Sequence, residues 1–258
     1  MPHSTAQVAP PRPRPQTRPL DELRGILGVA LVTVFALSVT LTGLLADGAM
    51  EHGGLAAHDP AVTAWLLHAR TPLVSAAAEV VTTIGSEPAM AILTVLVLAW
   101  LAVAKRAWTT AVLFAASMGA AGALSIGLKH LVGRQRPPAA DVLGPLDSSF
   151  AFPSGHTLFS TVFFGLVAGL LLARTGSRAA RVLVVLGWVV ASAVVGATRL
   201  YLGYHWLTDV VASWALAIAV LACAAAAWTV CRERPLRLPA ALRRGDGLDG
   251  QPDSRAGS

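Results

Sequence analysis

The chain has 258 residues, 55% of them hydrophobic and 13% charged, with a mean hydropathy of +0.62 and a formal net charge of +6. So little charge cannot cover the surface of a soluble domain of this length, which excludes a water-soluble globular protein and leaves a multi-span membrane protein. The positive excess excludes nothing by itself, but its distribution along the chain reads as membrane topology and not as a nucleic-acid surface.

Residues 1–24 are rich in Pro and Arg and are expected to be a disordered cytoplasmic segment. The apolar run at 26–46 follows more than twenty polar residues and is long enough to remain as an anchor, not a cleaved signal peptide. Residues 47–87 form an extracytoplasmic loop in which Asp59-Pro60 and Thr71-Pro72 each read as an N-cap followed by Pro at the first helical position. Two short helices on the outer surface are expected there. They could be a packed cap on the bundle or a gate over a site. Further apolar runs fall at 88–104, 107–128, 157–173, 182–198 and 209–231. Each run is long enough to cross a ~30 Å hydrocarbon core as a helix. The expected fold is therefore all-α: six transmembrane helices over 25–231, with short extracytoplasmic surface helices and a disordered cytoplasmic tail at 232–258.

Small residues at Ala115, Ala116, Gly119, Ala120 and Gly122, and at Gly165 and Gly169, suit close helix packing within one chain. They leave the oligomeric state open. Cys223 and Cys231 both fall in the last span, eight residues apart. That spacing is about 12 Å along a helix, too far for a disulfide, so both read as apolar filler.

With both termini cytoplasmic, fifteen of the twenty Lys and Arg residues lie inside, and the exceptions are Arg70, Lys129, Arg134, Arg136 and Arg199. Four of these five sit in three short stretches at span ends: Lys129–Pro137, Phe152–Thr157 and Thr198–Asp209. Cations kept on the outer side against the topological bias need another reason, and a bound anion is the simplest. A patch for lipid headgroups is the blander alternative.

Lys129, Arg136 and Arg199 could offset a phosphate's charge. Pro153-Ser154-Gly155-His156 opens a helix whose N–H groups bind anions. Ser154 adds a hydroxyl, and His156 stands where it could hand a proton to a leaving oxygen. By itself this tetrapeptide fits an ordinary helix cap. His205 and Asp209 are four apart, on one helical face, so the carboxylate could fix the imidazole tautomer and leave the other nitrogen nucleophilic. A buried pair that merely satisfies itself would look the same. His156, His205 and Asp209 could also ligate a metal, but the converging cations would repel one. No metal and no cofactor is expected.

Taken together, K-x6-R-P (Lys129 to Pro137), P-S-G-H (Pro153 to His156) and R-x5-H-x3-D (Arg199, His205, Asp209) resemble the three signatures of the type 2 phosphatidic acid phosphatase superfamily, which also includes the vanadium haloperoxidases. The resemblance implies a metal-independent phosphatase. In it His205 attacks phosphorus, Asp209 orients it and His156 acts as general acid and base. Lys129, Arg136, Arg199, Ser154 and Gly155 hold the phosphate. Arg134 is secondary, as is Thr198, which stands where the family usually has Ser. The haloperoxidase branch is soluble and this chain is not.

The expected function is hydrolysis of a lipid phosphate or diphosphate at the extracytoplasmic face, through a phosphohistidine. The family implies undecaprenyl diphosphate, phosphatidic acid and phosphatidylglycerol phosphate as substrates. The expected partners are thus a lipid phosphate and the bilayer. A non-catalytic binder of anionic lipid would need only the cations, and a lipid-phosphate transporter would carry charge in mid-span. Two Lys against eighteen Arg point to a high-GC bacterium.

Overall fold

The computed structural model describes residues 19–233, which are helical apart from turns and loops, with no strand among them. The expected disorder at 1–18 and 234–258 lies outside the described residues. Pro19–Arg24, expected to be disordered, instead opens the first helix, and Arg232 and Glu233 close the last. The helices are α1 (Pro19–Glu51), α2 (Asp59–His68), α3 (Pro72–Ile84), α4 (Glu87–Ala99, continued by a π-helical turn at Trp100–Ala104), α5 (Trp108–Val132), α6 (Gly155–Leu172), α7 (Arg178–Tyr201) and α8 (Leu207–Glu233). Six of these are long and apolar enough to cross a membrane: α1, α4 with its π turn, α5, α6, α7 and α8. The first runs five residues past its expected end at 46, so the loop before α4 is shorter than expected.

Local chemistry sets the ends. Ser86 and Ser177 cap α4 and α7 by accepting the N–H groups of Ala89 and Ala180. Gly133, at φ 61°, takes the left-handed conformation that closes α5 and turns Arg134–Pro137 across its end.

α8 is the axis of the bundle, in contact with α1, α5, α6 and α7. Half of its most apolar window is buried, against 11% for α4, which lies at the periphery. The main core joins α4, α5, α6 and α8 through Met90, Phe114, Leu158, Val162, Phe163 and Leu216. Apolar residues such as Val29, Ile92 and Leu183 stay more than 60% exposed on the outside of the bundle. A hydrocarbon solvent makes that arrangement favourable.

The small residues are used selectively. A Cβ on Gly165 would meet Leu221 and Trp188, and one on Gly122 would touch the Phe159 ring, whereas Gly119 and Gly169 face open space. Cys223 is exposed and Cys231 half-buried, both free. They fill outward positions of α8 and not its core.

Both short outer helices form. Thr71 caps α3 as expected, accepting the Val74 N–H. Asp59 does not cap α2. His58 takes that position, and the Asp59 side chain leaves its own helix for α8. α3 packs on α7, and α2 on α7 and α8. Arg70 donates to the carbonyls of Tyr201 (3.0 Å) and Asp141 (2.6 Å), and the Tyr201 hydroxyl accepts the Thr71 N–H at 2.8 Å. These ties describe a packed cap, and they account for Arg70, the fifth cation expected outside.

Candidate active site

The three motifs meet at one end of the bundle, where the last turns of α5 and α7 face the first turns of α6 and α8. Lys129, in the last turn of α5, donates to the Phe150 carbonyl (2.5 Å) and to Ser149 Oγ (3.2 Å). Arg136 is bound more richly. Its Nε donates to the Ser149 carbonyl at 2.7 Å and its Nη2 to Asp147 Oδ2 at 2.6 Å, while Nη1 donates to the Tyr204 carbonyl at 2.8 Å and lies 3.2 Å from His205 Nε2. Arg199, in the last turn of α7, is 3% exposed and lies 3.9 Å above the Tyr204 ring centroid. Its Nη1 donates to Thr82 Oγ1, and its buried Nε has no partner.

His205 is 2% exposed and sits just before α8, in the turn that follows Gly203, and not within the helix as the spacing suggested. The pairing with Asp209 nevertheless forms. His205 Nδ1 is 3.4 Å from Asp209 Oδ2, close enough for an ion pair but not hydrogen-bonded. A guanidinium can only donate, so Nε2 beside Arg136 is an acceptor and the ring proton belongs on Nδ1, towards Asp209. Burial first, then the charges of Arg136, Arg199 and Lys129, holds the His205 imidazolium well below its usual range. The ring is therefore neutral at physiological pH, with its Nε2 lone pair towards the cations. Neighbouring Tyr204 is pushed up, mainly by burial. Asp147 moves the other way: burial works to raise it, but the Ser149 N–H and the Arg136 guanidinium carry it below its usual range.

Asp209 is held from behind. Its Oδ1 accepts from Arg134 Nη1 at 2.7 Å, and its Oδ2 accepts the Trp206 N–H at 2.9 Å. Arg134, expected beside the phosphate cations, is spent on two buried carboxylates, because its Nη2 also donates to Asp59 Oδ2 at 2.7 Å. Thr198 is likewise turned away and bonds the Val195 carbonyl of its own helix.

The turn before α6 is locked to α8. Ser154 is wholly buried, its hydroxyl accepts from Thr157 Oγ1 at 3.0 Å, and its carbonyl accepts from Ser213 Oγ. The Ser154 hydroxyl accepts in that contact, so its own hydrogen is not used there. Gly155 opens α6, whose N-terminus favours anions. A Cβ there would strike the Glu87 carboxylate, which lies across this turn. His156 follows, half-buried and within electrostatic reach of Arg199, His205 and Arg136.

The structure thus brings Lys129, Arg136, Arg199, Gly155, His156, His205 and Asp209 to one place. It turns Thr198 away, moves Arg134 behind Asp209 and buries Ser154 in the turn before α6. Asp59, Glu87, Asp147, Ser149 and Thr82 were missed. Asp59 was hidden by its Asp-Pro context, which reads as a cap, and the others lie in loops or at helix ends without a recurrent pattern. Among the described residues, no three His, Cys, Asp or Glu side chains form a group that could hold a metal ion.

Residues 110–234, which contain all three motifs, match the family model of the PAP2 superfamily. The chain is 26% identical over 184 residues to phosphatidylglycerophosphatase B of Bacillus subtilis (strain 168), a match covering 70% of this chain and 89% of that one. Over 74 residues it is 43% identical to phosphatidylglycerophosphatase B of Escherichia coli (strain K12), a match that spans 27% of that relative's length. The crystal structure of a transmembrane PAP2 type phosphatidylglycerolphosphate phosphatase from Bacillus subtilis superposes with a TM-score of 0.66 at 22% identity, covering 81% of this chain and 98% of that one.

Proposed function

Since the chain belongs to the PAP2 superfamily, in its membrane lipid phosphatase branch, we propose that it hydrolyses a lipid phosphate through a phosphohistidine on His205. The arrangement of His205 carries this reading: Nε2 is directed at Arg136 and Nδ1 at Asp209. The Nε2 lone pair forms the N–P bond as the P–O bond to the lipid breaks, and His156 gives its proton to the leaving oxygen. Water then attacks the phosphohistidine, His156 takes the water's proton, and inorganic phosphate leaves. Lys129, Arg136, Arg199 and the first turn of α6 oppose the charge on the equatorial oxygens. Asp147 already holds Arg136 Nη2, so a phosphate engaging Arg136 shares the guanidinium with it.

Phosphatidylglycerol phosphate is the substrate that the names of both relatives favour, ahead of phosphatidic acid and undecaprenyl diphosphate. The site faces away from the cytoplasm, because the opposite end of the bundle carries Lys105, Arg106, Arg174, Arg178 and Arg181. No metal is required, since cations already do a metal's electrostatic work.

The test is phosphate release from the three lipids by protein purified in detergent with EDTA, alongside His205→Ala. Release by the wild type and none by the variant is expected. No release from any lipid would sink the enzyme reading in favour of a binder or transporter, and a requirement for added metal would sink the mechanism.

A further inference from the structure

Asp59 lies outside all three motifs, at the start of α2, yet it is 1% exposed and aimed at the site's foundations. Its Oδ1 accepts the Thr208 N–H at 3.1 Å, and its Oδ2 accepts both Thr208 Oγ1 at 2.5 Å and Arg134 Nη2 at 2.7 Å. Arg134 in turn reaches Asp209 and Thr208 through Nη1, at 2.7 and 2.8 Å. Arg134 is 8% exposed and Asp209 0%, so one guanidinium is shared between two carboxylates out of water.

The charges decide what this sharing does. An Arg134–Asp209 pair alone would have no net charge, and a carboxylate so offset would do less for a neighbouring imidazole. With Asp59 added, two negative charges share one positive charge, and the trio keeps a net charge of −1 beside His205. Charges this poorly screened act strongly over a few ångströms. When Nε2 bonds to phosphorus with its lone pair, the imidazole becomes cationic, and a negative Asp209 is then worth most. Asp59 also seats an anion on the N-terminal N–H groups of α8, where the helix dipole favours it.

We propose that Asp59 is a positioning residue for the hydrolysis proposed above: it engages half of the Arg134 guanidinium, so that the Asp209 charge is not fully offset and the trio stays net negative towards His205. This rests on the phosphohistidine reading.

Three variants of the full chain test it, read by steady-state kinetics, by the rate of phosphoenzyme formation in rapid quench, and by thermal midpoint in detergent. Asp59→Asn keeps the shape and removes the charge. It is expected to lower kcat and phosphoenzyme formation about tenfold or more while KM stays within about threefold. Asp59→Glu restores the charge and is expected to recover part of that loss. Thr208→Val removes hydrogen bonds from Asp59 and Arg134 but keeps both charges, so it should lower the thermal midpoint while kcat falls less than about threefold. An Asp59→Asn protein with wild-type kcat, or a Thr208→Val protein as slow as Asp59→Asn, would overturn the proposal while leaving the phosphatase reading intact. Should Asp59→Asn not fold, the kcat of Thr208→Val decides: retained, it supports the proposal, and lost, it reduces Asp59 to an anchor. Wild-type protein that releases no phosphate from any lipid sinks the phosphatase reading and this proposal together.

Discussion

His205 is kept neutral by its surroundings, and a nucleophilic imidazole has to be neutral. Burial contributes most, followed by Arg136, Arg199 and Lys129. The sign follows from protonation inactivating the ring. Its folded pKa lies below the usual ~6.5, so lowering pH through that value does not by itself protonate His205. The acid limb of kcat/KM that it contributes therefore falls well below 6.5. Arg136→Gln removes a positive charge beside Nε2 and should move that limb to higher pH. Comparing both proteins on one substrate cancels the substrate's own ionisation, and an unmoved limb would refute the assignment. Stability has a matching dependence. Between the folded and unfolded pKa values the unfolded chain binds more protons, so the contribution from His205 is complete above ~6.5 and is lost as pH falls towards the folded pKa. The closeness of His205 and Asp209 was legible from their four-residue spacing. That of Asp59 and Arg134 was not, because a buried ion pair 75 residues apart in sequence leaves no periodic trace.

At the scale of elements, the site depends on how one helix ends and the next begins. Gly203, at φ 82°, makes the turn from α7 to Tyr204 and His205, and Tyr204 N–H closes back on the Arg199 carbonyl at 3.0 Å. A Cβ at 203 would strike the Asp141 carbonyl and lie 3.0 Å from Arg70 Nη2. Gly203→Ala should therefore cost at least about 1–2 kcal/mol from the left-handed backbone alone. A lower thermal midpoint and a lower kcat are expected together. A variant with wild-type values of both would show that the turn adapts. The six long apolar segments and the Thr71 cap were readable from local residue chemistry. The start of α8 after His205, and not before it, was not. The apolar run is blind to the Gly203 turn.

The whole molecule is organised around α8, which carries Asp209 at one end and touches α1, α5, α6 and α7 along its length. This explains why residues from four spans can share one site without a charge in mid-bundle. Orientation is a separate question, and the charge asymmetry favours a site on the extracytoplasmic side. In a variant lacking Cys223 and Cys231, a cysteine at exposed Ser148 in the site loop should react with a membrane-impermeant maleimide on intact cells. One at exposed Gly176, between α6 and α7, should react only after lysis. The reverse pattern would place the site in the cytoplasm.

The sequence alone determined what depends on neighbours within a few residues: six apolar segments of membrane-crossing length, the Thr71 cap, and three sets of polar side chains at span ends. Only the tertiary structure decided which polar groups lie against His205 Nε2 and which lie behind Asp209. Arg134 and Arg136 are two residues apart, yet one is enclosed by Asp59 and Asp209 while the other lies against His205 Nε2. Nothing local distinguishes them. A guanidinium's role is set by whichever carboxylates the fold brings within about 3 Å, and here one of those carboxylates comes from a surface helix 75 residues away.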